Sequence, residues 1–250
     1  MNHTTLDLTP ELVRILAPTG VLRAAINVGN PILANLDPAG QPVGVSIDMA
    51  GGLAEALGVG LKMTVFKAAA ASVDAVTNQQ CDIGFFAIDP VRGAGIDFTA
   101  AYVVIEGAYL VRNESRLKTH EEVDVPGHRV AVAKGSAYDL FLTREMKNAT
   151  LVHTPFSSDV VNLFIEQNLD VAAGVKQQME ADALRVSGLR LLPGHFMLIQ
   201  QAMGLPKGRP PEALALLRRY VEMQKASGFV AASLARHGIE GAAVASSAPD

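Results

Sequence analysis

An arginine that follows a buried strand is the residue with the clearest chemical role. Residues 81–88 are almost entirely apolar, and the turn Asp89-Pro90-Val91 leads from them to Arg92. A guanidinium there is well suited to bind a carboxylate, because its planar fork of N–H donors matches two oxygens. A structural ion pair with Asp89 or Asp97 is the alternative. The pattern therefore indicates an anion contact at Arg92, with a structural ion pair left open.

Polar residues in apolar strands are the next candidates. Glu106 interrupts the apolar run 105–111, and charged side chains are rarely buried unpaired, so we expect it to contact a ligand or to form an ion pair. Gln200 and Gln201 lie in the apolar run 196–203. Side chains alternate along a strand, so one of the two must face inward, and Gln201 is the candidate for the site. Lys176, which follows another strand, is either a site residue or a solvated surface residue.

The start of one predicted helix is a further candidate site. The spacing predicts a helix over 137–147, with Ser136 as its N-cap and Asp139 three residues further on. Backbone N–H groups at a helix N-terminus attract anions. Ser136 and Ala137 could therefore bind a negatively charged group.

These candidates depend on alternating strands and helices that position them. The predicted strands are 21–28, 61–66, 82–88, 105–111, 129–133, 151–153, 169–173 and 196–203. The predicted helices are 46–57, 72–79, 137–147, 158–167, 177–184, 212–226 and a short final helix that ends near 237–238, and the tail 242–250 is expected to fray. Such βαβ repeats predict parallel sheets with right-handed crossovers.

The repeats restart in the middle of the chain, which predicts an α/β fold of two lobes. Residues 19–106 and 200–240 would form lobe 1, and residues 107–199 would form lobe 2. The strands 105–111 and 196–203 would be the two crossings of a hinge. Ligands of open α/β sheets lie outside the carboxyl ends of the strands, so the expected site is the cleft between the lobes.

Composition narrows the function classes. The chain has 49% hydrophobic and 18% charged residues and a net charge of −4, which argues against a nucleic-acid partner. No apolar run approaches the roughly 20 residues of a membrane-spanning helix. The one cysteine, Cys81, is expected to be a small buried hydrophobe. The six histidines lack metal-ligand spacing and the catalytic motifs are missing, so we expect no metal, no cofactor and no catalytic residue.

Several segments, in order, resemble one known family. The segments are Gly44-Val45-Ser46-Ile47-Asp48-Met49-Ala50, residues 80–92, residues 96–102, residues 129–137 and residues 169–173. The chain is similar over about residues 22–238 to bacterial solute-binding proteins of family 3, which are type 2 periplasmic binding proteins. The resemblance implies a two-lobed Venus-flytrap fold with a double-strand hinge, and a small ligand held between the lobes.

The resemblance also implies roles for particular residues. Arg92 would hold the carboxylate of the ligand, and the helix start at Ser136 would bind the same carboxylate. The remaining implied contacts are the backbone groups of Ala137, Ala87 and Ile88 and the loop residue Asn30.

The sequence departs from the family at the position of an acidic residue that often holds the ligand's ammonium group. Counted from Asp170, Val175 occupies that position and Lys176 follows it. Lys176 would favour a second carboxylate on the ligand. Alternatively, Glu106 would supply the missing negative charge, and Asp89 is a further candidate for that role.

The leading hypothesis is therefore a non-catalytic protein that binds a small carboxylate-bearing solute, an amino acid or a related organic acid, for an ABC permease. One alternative is a cytoplasmic sensor or orphan binding module. Another is an enzyme like cyclohexadienyl dehydratase, with Glu106 as the proton donor. The N-terminus shows no signal peptide. We expect a periplasmic location from the resemblance, and a cytoplasmic one if the chain is full length.

Overall fold

The computed structural model describes residues 6–248, which fall into two compact units. The first unit comprises the residues up to 104 and from 200 onward, and the second comprises residues 105–199. The chain enters the second unit within a 17-residue strand and returns within a 10-residue strand.

Helices and strands alternate along most of the chain. The helices are α1 Pro10–Leu16, α2 Val45–Leu57, α3 Ala69–Thr77, α4 Ala137–Glu145, α5 Val160–Glu166, α6 Lys176–Arg185, α7 Pro211–Ala226 and α8 Phe229–Arg236, with short 3-10 helices at Arg92–Ala94 and Ser157–Asp159. The strands are β1 Val21–Asn27, β2 Asn35–Leu36, β3 Pro42–Val43, β4 Gly60–Phe66, β5 Ile83–Ala87, β6 Ile96–Arg112, β7 Arg129–Ala133, β8 Thr150–Thr154, β9 Val171–Val175, β10 Leu189–Leu191, β11 Met197–Pro206 and β12 Ala243–Val244.

The sheet of the first unit has the order β4-β1-β5-β11. Strand β1 runs parallel to β4 and β5, whereas β11 runs antiparallel to β5. The carboxyl ends of β1, β4 and β5 therefore share one edge, which we call the carboxyl edge of this unit. At the opposite edge the buried Asp82 carboxylate accepts hydrogen bonds from Arg23 at 2.7 and 2.9 Å and from Arg209 at 3.0 Å.

Helix α2 forms despite two adjacent glycines, and its contact with α7 explains one of them. A Cβ atom on Gly52 would lie 2.6 Å from Tyr220 Oη. The same hydroxyl donates a hydrogen bond of 2.8 Å to the Met49 carbonyl, and Met49 and Leu53 are fully buried. The close approach of the two helices offsets the intrinsic cost of glycine in a helix, about 1 kcal/mol.

The sheet of the second unit has the order β6-β9-β7-β8. Strand β7 is parallel to β8 and β9, and β6 is antiparallel to β9, with Gly107 opposite Val175. The ends of β7 and β9 and the residues around Gly107 in β6 consequently lie at one edge, the carboxyl edge of the second unit. The core of this unit contains Val130, Phe164 and Val171, all fully buried.

The predicted elements are present, and apart from β6 their ends differ by a few residues. Strand β6 begins at Ile96 rather than 105. Helix α1, which the sequence patterns did not indicate, is capped by the Thr9 hydroxyl. The prediction of a frayed tail is wrong at its start, because β12 pairs with β6 and the Ala245 N–H donates to the Tyr102 carbonyl at 3.1 Å. Residues 249–250 of that tail lie outside the described residues.

Within residues 6–248, no helix is both long and apolar enough to cross a membrane.

Candidate functional site

Arg92 lies at the carboxyl edge of the first unit. Strand β5 is wholly buried and ends at Ala87, and Arg92 begins the 3-10 helix that follows the turn. The turn is fixed by Asp89, whose carboxylate accepts the Val91 N–H at 2.8 Å. The Arg92 guanidinium donates to the Ala87 carbonyl at 3.2 Å. The strand end and the turn thus hold the cation against the sheet.

The Arg92 side chain is a buried cation. The residue is only 5% exposed, as is Asp89. Burial lowers the pKa of Arg92 to about 10, and the charge of Asp89 opposes that decrease. The guanidinium therefore stays protonated at neutral pH, where it can make charge-assisted hydrogen bonds to a carboxylate.

The other predicted contacts of the first unit lie around this strand end. Ala87 pairs with Gln201, and the Ile88 N–H donates to the Gln200 carbonyl at 2.8 Å. Gln201 is 6% exposed and Gln200 is exposed, as the alternation of side chains requires. The Ile88 N–H and the Ala87 carbonyl are thus already used within the protein. Their contact with a ligand stays a prediction, as does that of Gln201.

Asn30 follows β1 at the same carboxyl edge. Its backbone carbonyl accepts from Leu33 and Ala34 at 3.2 and 3.3 Å. Its side-chain oxygen Oδ1 is buried and has no hydrogen-bond partner among the described residues. A buried acceptor without a donor is costly, so Asn30 has the capacity to accept a hydrogen bond from a ligand.

The second unit carries a charged cluster at its carboxyl edge, formed by Glu106, Lys176 and His195. Lys176 is the first residue of α6, and the pairing of β6 with β9 brings Glu106 beside it. Lys176 Nζ lies 2.6 Å from Glu106 Oε2, and His195 Nδ1 lies 3.0 Å from Glu106 Oε1. Both oxygens of the carboxylate therefore have a protein partner.

Each member of the central pair stabilises the charged form of the other. The hydrogen bond from Lys176 lowers the pKa of Glu106. The hydrogen bond to Glu106 raises the pKa of Lys176, and the charge of Glu180 adds to that rise. The sequence left two roles open for Glu106, a ligand contact or an ion pair, and the structure shows it in an ion pair. The contact of His195 with Glu106 was not predicted, because nothing in the sequence links this histidine to a strand about ninety residues earlier.

The N-terminus of α4 is the second feature of this edge. Ser136 caps the helix by accepting the Asp139 N–H at 3.1 Å, and Asp139 accepts the Gly135 N–H at 2.8 Å. Gly135 has a φ of 72°, which glycine adopts without strain. His153 Nε2 lies 2.8 Å from Asp139 Oδ1. The cap at Ser136 is confirmed, whereas the ligand contacts of Ser136 and Ala137 stay predictions.

The described residues contain neither a metal-ligand cluster nor an exposed thiol. No group of three or more His, Cys, Asp or Glu side chains within residues 6–248 could hold a metal ion. Cys81 is 1% exposed, and its burial raises its pKa, which keeps the thiol unreactive. What the two carboxyl edges supply is a buried guanidinium, a helix N-terminus and a charged cluster.

Comparison with solved structures identifies the fold. A mutant of ArgBP from T. maritima aligns with a TM-score of 0.77 at 20% identity, over 92% of this chain and 100% of that one. The ancestral amino acid-binding protein AncCDT-1, a precursor of cyclohexadienyl dehydratase, gives 0.75 at 19% identity over 90% and 97%. A candidate ABC-transporter binding component from Wolinella succinogenes, complexed with lysine, gives 0.74 at 21% over 87% and 95%. At these identities the likeness shows the fold alone, that of the type 2 periplasmic binding proteins.

The family follows from the sequence comparison. No curated protein matches the chain. The model of the bacterial extracellular solute-binding proteins, family 3, matches residues 22–238, which is most of the chain. The chain therefore belongs to family 3 of the bacterial extracellular solute-binding proteins.

Proposed function

We propose that this chain binds a small carboxylate-bearing solute, an amino acid or a related organic acid, with Arg92 as the anchor of the carboxylate. The observation that carries the proposal is the buried guanidinium at the carboxyl edge of the first unit, where it is 5% exposed and protonated. A cation in such a place makes stronger charge-assisted hydrogen bonds than one in water. Ser136, Ala137, Asn30 and Gln201 are proposed as further contacts.

We further propose that the bound solute is delivered to an ABC permease outside the cytoplasm. The family is extracellular by description. One protein of similar fold is a candidate binding component of an ABC transporter. The two units, residues up to 104 with those from 200 onward and residues 105–199, would be the lobes of the binding protein.

The dehydratase alternative finds little support in the geometry. A general acid must hold a proton near neutral pH. The hydrogen bond from Lys176 lowers the pKa of Glu106, so this carboxyl is ionised when the reaction would need its proton. We therefore propose a binding role without catalysis, and incubation with prephenate should give no absorbance from phenylpyruvate.

A thermal-shift panel of amino acids, keto acids, hydroxy acids and dicarboxylates tests the function. A ligand at about 100 times its dissociation constant should add roughly 2.7 kcal/mol to the stability. Calorimetric titration of each hit against Arg92→Ala should then show binding weaker by about 100-fold or more.

The matched control is Arg219→Ala in the same unit. Arg219 pairs on the surface with Asp7, whose side chain is 85% exposed, so its loss should leave the affinity unchanged. Equal affinities of the wild type and Arg92→Ala would overturn the assigned anchor. A panel without any hit would count against the solute-binding function itself.

A further inference from the structure

The carboxylates at the carboxyl edge of the second unit are already bound by protein donors. Glu106 is held by Lys176 and His195, one on each oxygen. Asp139 is 5% exposed and is held by the Gly135 N–H and by His153. A positively charged group of a ligand would therefore find both carboxylates occupied.

Two further carboxylates follow the strand ends of this unit, and both are less suited to a ligand. Asp159 accepts a hydrogen bond from Ser158 Oγ at 3.1 Å and is the N-cap residue of α5. Glu180 lies one turn into α6, where it is exposed to water and its charge acts on Lys176. A solvated carboxylate such as that of Glu180 contributes little binding free energy when it pairs with a cation, because both groups must lose water.

An ammonium group would have to replace Lys176 or His195 at Glu106. A ligand ammonium in place of the Lys176 ammonium would at best form the same ion pair with Glu106, at 2.6 Å. The ligand's ammonium would still lose its hydration, and the released lysine would lose its partner. The exchange gives no net gain in binding free energy.

Donors for a negatively charged ligand are, in contrast, available at this edge. The Lys176 ammonium has three donors, of which Glu106 Oε2 takes one. Its side chain is 34% exposed and can be reached from solvent. The Ser136 hydroxyl, by contrast, is 7% exposed and already contacts the Asp139 N–H and the Tyr138 side chain. Lys176 is therefore the donor that a ligand can reach. The edge thus favours a second anionic group or a neutral polar group.

We infer that the solute is an organic acid without an α-ammonium group, such as a keto acid, a hydroxy acid or a dicarboxylate, because Lys176 and His195 occupy Glu106. The inference rests on the proposed function and narrows its class of ligand. The unpaired Asn30 Oδ1 in the first unit is consistent with it. An amide oxygen is neutral, and a ligand hydroxyl satisfies it without the desolvation of a charge.

The experiment compares acids that differ only at the α-carbon. Calorimetric titration would use L-glutamate, 2-oxoglutarate, 2-hydroxyglutarate and glutarate as one set, and L-leucine, 4-methyl-2-oxopentanoate and 2-hydroxy-4-methylpentanoate as a second. The expected result is that the best-bound member of at least one set lacks the amino group, with an affinity at least about tenfold above that of the amino acid.

The variant Lys176→Gln tests whether the pairing of Lys176 with Glu106 causes the preference for acids without an amino group. It frees one oxygen of Glu106 for a ligand ammonium and removes donors for an anion, so the ratio of acid to amino-acid affinity should fall by about tenfold. The matched control is Lys147→Gln, because Lys147 follows the far end of α4 and its Nζ donates to the Arg144 carbonyl at 3.2 Å. Its ratio should equal that of the wild type.

The outcomes separate this inference from the proposed function. If an amino acid binds more tightly than its keto and hydroxy counterparts, and the affinity still depends on Arg92, the inference is wrong and the proposed function stands. If the ratio is the same in Lys176→Gln and the wild type, the role given to the cluster is overturned. If no compound binds, both proposals fail together.

Discussion

The two units present charge in different ways at the carboxyl edges of their sheets. In the first unit the cation of Arg92 is 5% exposed, beside an Asp89 that is equally buried. In the second unit the side chains of Glu106, Lys176 and His195 are 28%, 34% and 40% exposed, and Lys176 and His195 each pair with Glu106.

We expect changes in the first unit to alter the affinity for a ligand and changes in the second unit to alter the selectivity between ligands. A buried cation contributes strongly to binding and to stability, because the low dielectric around it strengthens every contact and penalises every lost partner. A water-exposed ion pair contributes little to stability, but it determines which charged side chains remain available to a ligand. We therefore expect large effects from changes at Arg92 and small, pH-dependent effects from changes at Glu106.

The largest expected effect is on the stability of Arg92→Met. This change leaves the buried Asp89 carboxylate without its nearby cation, and we expect the free energy of unfolding to fall by about 3 kcal/mol. Urea unfolding measures it. The double variant Arg92→Met/Asp89→Asn should recover most of the loss while it still fails to bind the ligand. A single variant as stable as the wild type would contradict the contrast between the units.

An intermediate effect is expected at the N-terminus of α4. Ser136→Ala removes a buried cap, and the free energy of unfolding should fall by about 1 kcal/mol. Thr9→Ala is the control, because Thr9 caps α1 at an exposed position with a longer bond of 3.2 Å. Thermal unfolding should show the smaller loss for Thr9→Ala, and the reverse order would show that the buried cap is unimportant.

The smallest expected effect is the pH dependence of the pair in the second unit. The pKa of Glu106 is lowered in the folded protein, chiefly by the hydrogen bond from Lys176. Its contribution to stability is therefore present above the unfolded value of about 4.3 and is lost as the pH falls through the lower folded value. The contribution itself should be at most about 1 kcal/mol.

Unfolding of the wild type and of Glu106→Gln across acidic pH checks this prediction. The wild type should be the more stable near neutral pH, and the difference should disappear as the solution becomes strongly acidic. High salt should reduce the difference at neutral pH, since the pair is partly exposed. A difference that does not change with pH would mean that the pair contributes through packing rather than charge.

Much of the fold could be predicted from local patterns. Strand β7 has the predicted bounds, and α4 begins where Ser136 predicted its cap. These elements were predictable because caps, turns and apolar alternation are local properties of the chain. The family and the two-lobed fold class were predicted from ordered short motifs, and the comparisons confirm both. The lobe boundaries and the ligand contacts stay predictions.

The charged cluster could not be predicted, because it depends on pairing between distant strands. Glu106 and Lys176 are separated by 70 positions and meet only because β6 runs antiparallel to β9. The pairing of β12 with β6 has the same origin, and no local pattern in the small residues of the tail indicates it.

The sequence by itself determined the alternation of elements, the family and the location of an arginine after a buried strand, since each depends on residues close together in the chain. Only the tertiary structure decided that Arg92 is buried beside Asp89 and that both oxygens of Glu106 are paired, one with Lys176 and one with His195. Burial and charge pairing depend on which surfaces the folded chain brings together, and these long-range contacts set both the strength and the selectivity of a binding site.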